Sequence, residues 1–159
     1  MQLTLQLAKH LRDVHFGGNW TTTNQRDVLS DVSWQEAKMV LPGMNSIVAL
    51  VYHMNYFVDA QLRVLQGKPL DAKDAYSFDH SPIHVQEDWD RLLAKVWHDA
   101  EAAALLIEAL PDEKLAAPFV EEKYGHYFRN IIGNIEHLHY HLGQIVVIKK
   151  MIRNNLTHL

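Results

Sequence analysis

Histidine is the residue from which this chain can most readily build chemistry. Eleven of the 159 residues are histidine and none is cysteine. Thiolate metal sites, disulfides and cysteine nucleophiles are therefore excluded, and a transition metal would rest on nitrogen and oxygen donors. His137, His139 and His141 fall within five residues of one another. Helical positions four apart share a face with Cβ atoms about 6 Å apart. His137 and His141 can thus turn both rings to one ion at a Zn–N distance of about 2.0–2.1 Å, while His139 points elsewhere. A third ligand must come from a neighbouring helix. His53 fits, standing beside Leu50, Met54 and Phe57 in an apolar segment where a lone imidazole is a poor choice.

Three neutral imidazoles with an open fourth position polarise a substrate oxygen or lower the pKa of water to about 7. That chemistry suits hydrolysis or activation of a thiol. The plainer reading is a chance pair in a histidine-rich chain, with His53 a hydrogen-bonded core residue; spacing does not separate the two. Two sharper motifs do not match. A zinc protease needs glutamate directly after the first histidine, where this chain has Leu138. A di-iron carboxylate bundle needs two Glu-x-x-His pairs, and only Glu136 with His139 has that spacing.

No general base stands out. Tyr56 and Asp59 follow His53 by three and six residues, which offers each a route to the site, although a solvated face explains Asp59 as well. Trp34, Trp89 and Trp97 are candidates for a pocket wall, but aromatics at helical spacing more often fill the core. Trp20, among threonines, either covers the mouth of the site or packs on the surface. His10, His15, His80, His84, His98, His126 and His158 have no partner at ligand spacing and read as surface or packing residues.

The elements that must position the histidines are helical. Leu3, Leu7 and Leu11 recur every four residues up to Gly17 and Gly18, a helix with a glycine stop. Ser33 and Glu36 have capping-box spacing for a short helix before Pro42 and Gly43. Asn45 or Ser46 caps a second long helix that reaches Gln66, with Ile47, Val51, Met54, Val58, Leu62 and Leu65 as its stripe. The segment 67–82 is polar and lacks a helical period. Its sixteen residues, extended, reach about 50 Å, more than the roughly 33 Å of the preceding helix. It can therefore cross the bundle end to end and leave its flanking helices parallel. Ser81 and Pro82 predict the start of the third long helix, which carries Trp89, Leu93, Val96 and Ala100 and stops near Pro111. The fourth runs from about Tyr127 to Arg153 along Ile131, Ile135, Leu138, Leu142 and Ile145.

One ordinary domain over 1–159 accommodates all of this. A net charge of -4 argues against a nucleic-acid partner. The cluster Lys149, Lys150 and Arg153 is explained by a helix C-terminus, where cations meet the dipole favourably. The N-terminus lacks the pattern of a secretion signal, and the most apolar segment, 47–58, is too short to span a bilayer, so no membrane partner and a cytoplasmic location are expected.

The segment from His137 through His141, Gly143, Gln144 and Ile145, with His53 in an upstream helix, resembles the DinB/YfiT-like superfamily across essentially the whole chain. The resemblance implies an all-α, four-helix bundle of up-down-down-up topology, with a long crossover between the second and third long helices. It also implies one divalent ion, zinc or nickel, on His53, His137 and His141, and frequent homodimers. Gln144, three residues after His141, then supports the site by hydrogen bonding, or is an ordinary packing contact. The activities implied are hydrolysis, or transfer with a low-molecular-weight thiol, on a small-molecule substrate. The alternative is a non-catalytic bundle that binds a metal or small ligand.

Overall fold

In the computed structural model, which describes residues 2–156, helices account for the regular structure. They are α1 (Leu3–Phe16), α2 (Gln25–Leu29), α3 (Trp34–Lys38), α4 (Ile47–Leu65), α5 (Gln86–Glu108) and α6 (Tyr127–Leu156). No strand forms among the described residues; an isolated bridge pairs Pro118 with His126. His158 lies outside the described residues.

Local chemistry sets most boundaries. The Ser46 hydroxyl accepts from the Ala49 amide at 3.3 Å and opens α4. Ser33 and Glu36 form the capping box of α3. Gly17, at φ +108°, ends α1 in a conformation that a Cβ disfavours. The expected start of the third long helix at Ser81–Pro82 is wrong: α5 begins four residues later than Pro82, at Gln86. The Asp88 carboxylate decides this, accepting from the amides of His84 and Val85 at 3.0 and 3.3 Å. It supplies the N-terminal acceptor that Ser81 was expected to provide. The short helix α2, with Asn24 as its cap, has no counterpart in the sequence expectations.

The four long helices bury one continuous apolar core. Leu7, Leu11 and Val14 of α1 meet Ile47, Val51, Met54 and Val58 of α4, Trp89, Val96 and Ile107 of α5, and Ile131, Leu138 and Ile145 of α6. α1 and α4 each pack against both α5 and α6. Trp89 is fully buried and donates its indole N–H to the Val32 carbonyl at 3.0 Å, so it is core and not pocket wall. At the C-terminal part of α6, Lys149 pairs with Asp31 and the Val28 carbonyl, and Arg153 with Asp31 and Glu36. These cations fasten α6 to the α2–α3 segment, and Arg153, in the last turn, also meets the helix dipole.

The connection 67–85 matters most for the site. Tyr56 holds it to α4: its hydroxyl accepts from the Lys73 amide at 2.8 Å and donates to the Lys73 carbonyl at 3.1 Å. The next turn lowers Ser77 into the protein and sets Phe78 over His53.

Candidate metal centre

His53 projects from the middle of α4, and His137 and His141 from successive turns of α6, so packing α4 on α6 closes the trio. Each ring offers a nitrogen within 4.8 Å of the others. His53 Nε2 and His137 Nε2 stand 2.9 Å apart. Nitrogens bound to one tetrahedral zinc at about 2.0–2.1 Å lie about 3.3 Å apart, so small ring rotations suffice to share an ion.

The surroundings disfavour the charged form of His137 and of His53. Burial, then the neighbouring His141 and His53, push His137 down to about 4. Burial and His141 also lower His53, against the Ser77 backbone and Asp74, which pull it up. Among the described residues no carboxylate is hydrogen-bonded to any of the three rings. The Nε2 atoms of His53 and His137 face each other and are the ones turned inward, and Nδ1 of His137 is buried without a hydrogen-bond partner. His141 Nδ1 lies 2.7 Å from Gln144 Oε1; it donates there, which leaves the lone pair on Nε2 for the trio. Three convergent lone pairs without a proton donor for each are an unfavourable arrangement that a divalent cation relieves. The donor set fits such an ion.

Aromatic side chains frame the trio. Phe78 stacks on His53 with centroids 4.0 Å apart and planes 9° apart. Phe57 meets His53 and His137 edge-on, both at 5.2 Å. Beside His53 and His137 opens a cleft of about 940 Å³, with Phe57, Phe78 and Phe119 as its apolar wall and Gln61, Arg129 and Asn134 as its polar one. That volume lies within the range of small-molecule sites. The sequence offered a partial signal for this wall: Asn130, Asn134, His137 and His141 recur at helical spacing along one face of α6. Phe78, within an irregular segment, carries none.

Other sequence candidates fall elsewhere. The Tyr56 hydroxyl is committed to Lys73, and Asp59 pairs with Arg63 and Lys95, so neither reaches the trio. Trp97 packs with Phe16 and Arg26, Trp34 lies under Lys38, and Trp20 is fully exposed, covering neither the site nor the bundle surface. His139 sits against His10 at 5.8 Å on another face, as its spacing predicts. His15 is a buried packing residue.

A family model described as the DinB superfamily matches residues 8–145, a span that includes His53, His137, His141 and Gln144. No curated protein and no solved structure matches the chain.

Proposed function

Because the chain belongs to the DinB superfamily, we propose that it is a divalent-metal-dependent enzyme acting on a small substrate. His53, His137 and His141 hold one ion, zinc or nickel, and water or a low-molecular-weight thiol is the nucleophile, in hydrolysis or thiol-dependent transfer. The observation that carries this reading is the convergence of three imidazoles at the edge of a cleft.

A bound ion of this kind supplies a Lewis acid that polarises a substrate oxygen or acidifies a nucleophile. The protein's own contribution is positioning. Gln144 sets the tautomer of His141, Phe78 and Phe57 fix the ring planes of His53 and His137, and the cleft receives the substrate.

The proposal includes one bundle domain over 1–159 in up-down-down-up order. Opposed α4 and α6 are supported by His53 meeting His137 while Gln61 meets Asn134. Opposed α1 and α5 are supported by Thr4 meeting Asp112 just beyond α5, while Phe16 meets Trp97. α3 leads into α4 and also touches the start of α5 through Gln86, which supports parallel α4 and α5 and the crossover between them. A homodimer is supported by exposed Tyr140, Val147 and Met151 on α6, with Met44 beside them. We propose a cytoplasmic setting, and the absence of nucleic-acid partners is supported by the charge of -4. Among the described residues no helix is long and apolar enough to cross a membrane.

One observation favours a second reading, a metal- or ligand-binding bundle without catalysis: among the described residues no carboxylate or tyrosine hydroxyl is bonded to the trio as a ready base. Elemental analysis of untagged protein after zinc or nickel supplementation tests the shared premise, with His53→Ala and His141→Ala as controls. Wild-type protein that takes up no metal overturns both readings. Chelator-sensitive turnover in a screen of ester hydrolysis and thiol conjugation then supports the enzyme, and metal uptake without turnover supports the binder.

A further inference from the structure

The cleft beside the histidines has a charge layout that says which substrates fit it. Arg129, Asn130, Gly133, Asn134 and His137 line it along one side of α6. The Arg129 side chain lies along this helix over Gly133: a Cβ built on residue 133 would stand 2.5 Å from Arg129 Nη1. Glycine inside a helix is less stable than alanine, so this position trades helix stability for room for the guanidinium at the cleft wall. The guanidinium therefore lies near position 133, about one helical turn, or roughly 6 Å, from the level of His137.

Its charge is available. The nearest acid, Glu136, is 3.6 Å away, with the two side chains 68% and 67% exposed, and such a pair is weak and readily exchanged. Apart from the histidines and the Tyr124 phenol, the lining residue that carries an acid or a base besides Arg129 is Asp74, on the loop side, whose charge is felt at His53. A negative group is thus repelled from the loop wall and drawn to the Arg129 end. Between these poles the wall is Phe57, Phe78 and Phe119 with the buried carboxamides of Gln61 and Asn134.

We propose that the cleft selects small carboxylic acids with an apolar or aromatic body, the carboxylate held by Arg129 over Gly133 and the reacting end directed to the histidines. Arg129 is the specificity-determining residue. The planar guanidinium matches a carboxylate with two parallel hydrogen bonds. The proposal rests on the cleft beside the trio being the substrate site.

The probe is 3-phenylpropionate, with 3-phenylpropionamide as its uncharged counterpart. Each is titrated into the full chain, metal-free and zinc-loaded, with binding followed by calorimetry. The metal-free protein is expected to bind the acid about tenfold more tightly than the amide, the size of effect of one charge-assisted contact. Arg129→Gln should abolish the preference. Gly133→Ala should weaken it by displacing the guanidinium, while the melting temperature holds or rises because alanine replaces a helical glycine. Equal affinity for acid and amide, or a preference that survives both substitutions, overturns the proposal. Acid binding that appears only with zinc and ignores Arg129→Gln places the carboxylate on the ion and overturns it as well. Zinc uptake is measured on the same samples. A chain that takes up no metal yet keeps an Arg129-dependent preference refutes the metal reading and leaves this one standing.

Discussion

Two residues of α4, His53 and Asn55, begin two polar clusters on opposite seams of the bundle, and the clusters are built on opposite principles. On the α5 side, Asn55 donates to the buried Asp99 carboxylate at 2.9 Å, and Lys95 binds both Asp99 and Asp59. Burial alone would raise Asp99, but the hydrogen bonds from Lys95, Asn55 and His98 outweigh it and hold the carboxyl below its usual range. Acid, base and amide N–H answer one another, with the Asn55 Oδ1 left unpaired. On the α6 side, His53, His137 and His141 present only imidazoles, bordering a cleft. A cluster that supplies its own counter-charges is structural; one that lacks them is a site for something brought from outside.

The strongest break of this contrast is His137→Ala. Loss of a hydrogen bond behind a ligand lowers metal affinity about 10- to 100-fold. Loss of a ligand itself should exceed a hundredfold in a zinc titration, with little change in the melting of metal-free protein. Full-strength zinc binding by that variant would remove His137 from the centre.

His15 sharpens the comparison as a buried imidazole without converging neighbours. Its Nδ1 donates to the Leu11 carbonyl at 2.8 Å and its Nε2 has no partner. Burial lowers it to about 4. The unfolded chain binds a proton at about 6.5, so between these values the unfolded state carries more protons and stability falls as the pH falls. From pH 6.5 to 4 the loss is about 3 kcal/mol. Denaturant midpoints should show it in wild type, and His15→Leu should flatten that part of the pH profile.

Asp99→Ala removes the acid from the cluster on the α5 side and strands the Asn55 amide. It should cost about 2 kcal/mol in chemical denaturation, with zinc affinity unchanged. A fall in zinc affinity would mean that the two seams of α4 are coupled.

The smallest effect is expected at Gln144. Gln144→Ala leaves the His141 ring but frees its tautomer, so zinc affinity should fall about tenfold with stability nearly constant. An unchanged affinity would reduce the 2.7 Å contact to packing.

What the sequence determined by itself is the local part of this picture. The 3.6-residue stripes of Leu7, Leu11, Met54, Val58, Leu138 and Ile145 specify the helices and their buried faces. Ser46, Gly17 and the Ser33–Glu36 box mark ends through hydrogen bonds and backbone sterics that span only a few residues. The pairing of His137 with His141 is local too, since four residues is one turn, and the motif around it was enough to indicate the family. The start of α5 was misread because Ser81–Pro82 is a good cap in isolation, while Asp88 provides a competing one six residues on.

Only the tertiary structure decided which distant residues share a space. His53 reaches His137 because α4 and α6 pack together, across a sequence separation of 84 residues that no helical period encodes. Phe78 reaches His53 from a segment with no period at all, held there by the bonds between Tyr56 and Lys73. The same packing sent Asp59 to Lys95 and left Trp20 in solvent. Helix formation is ruled by neighbours in the chain, whereas a site between helices is ruled by how their faces pack. That is why the ligand candidates were legible in advance and the cleft beside them was not.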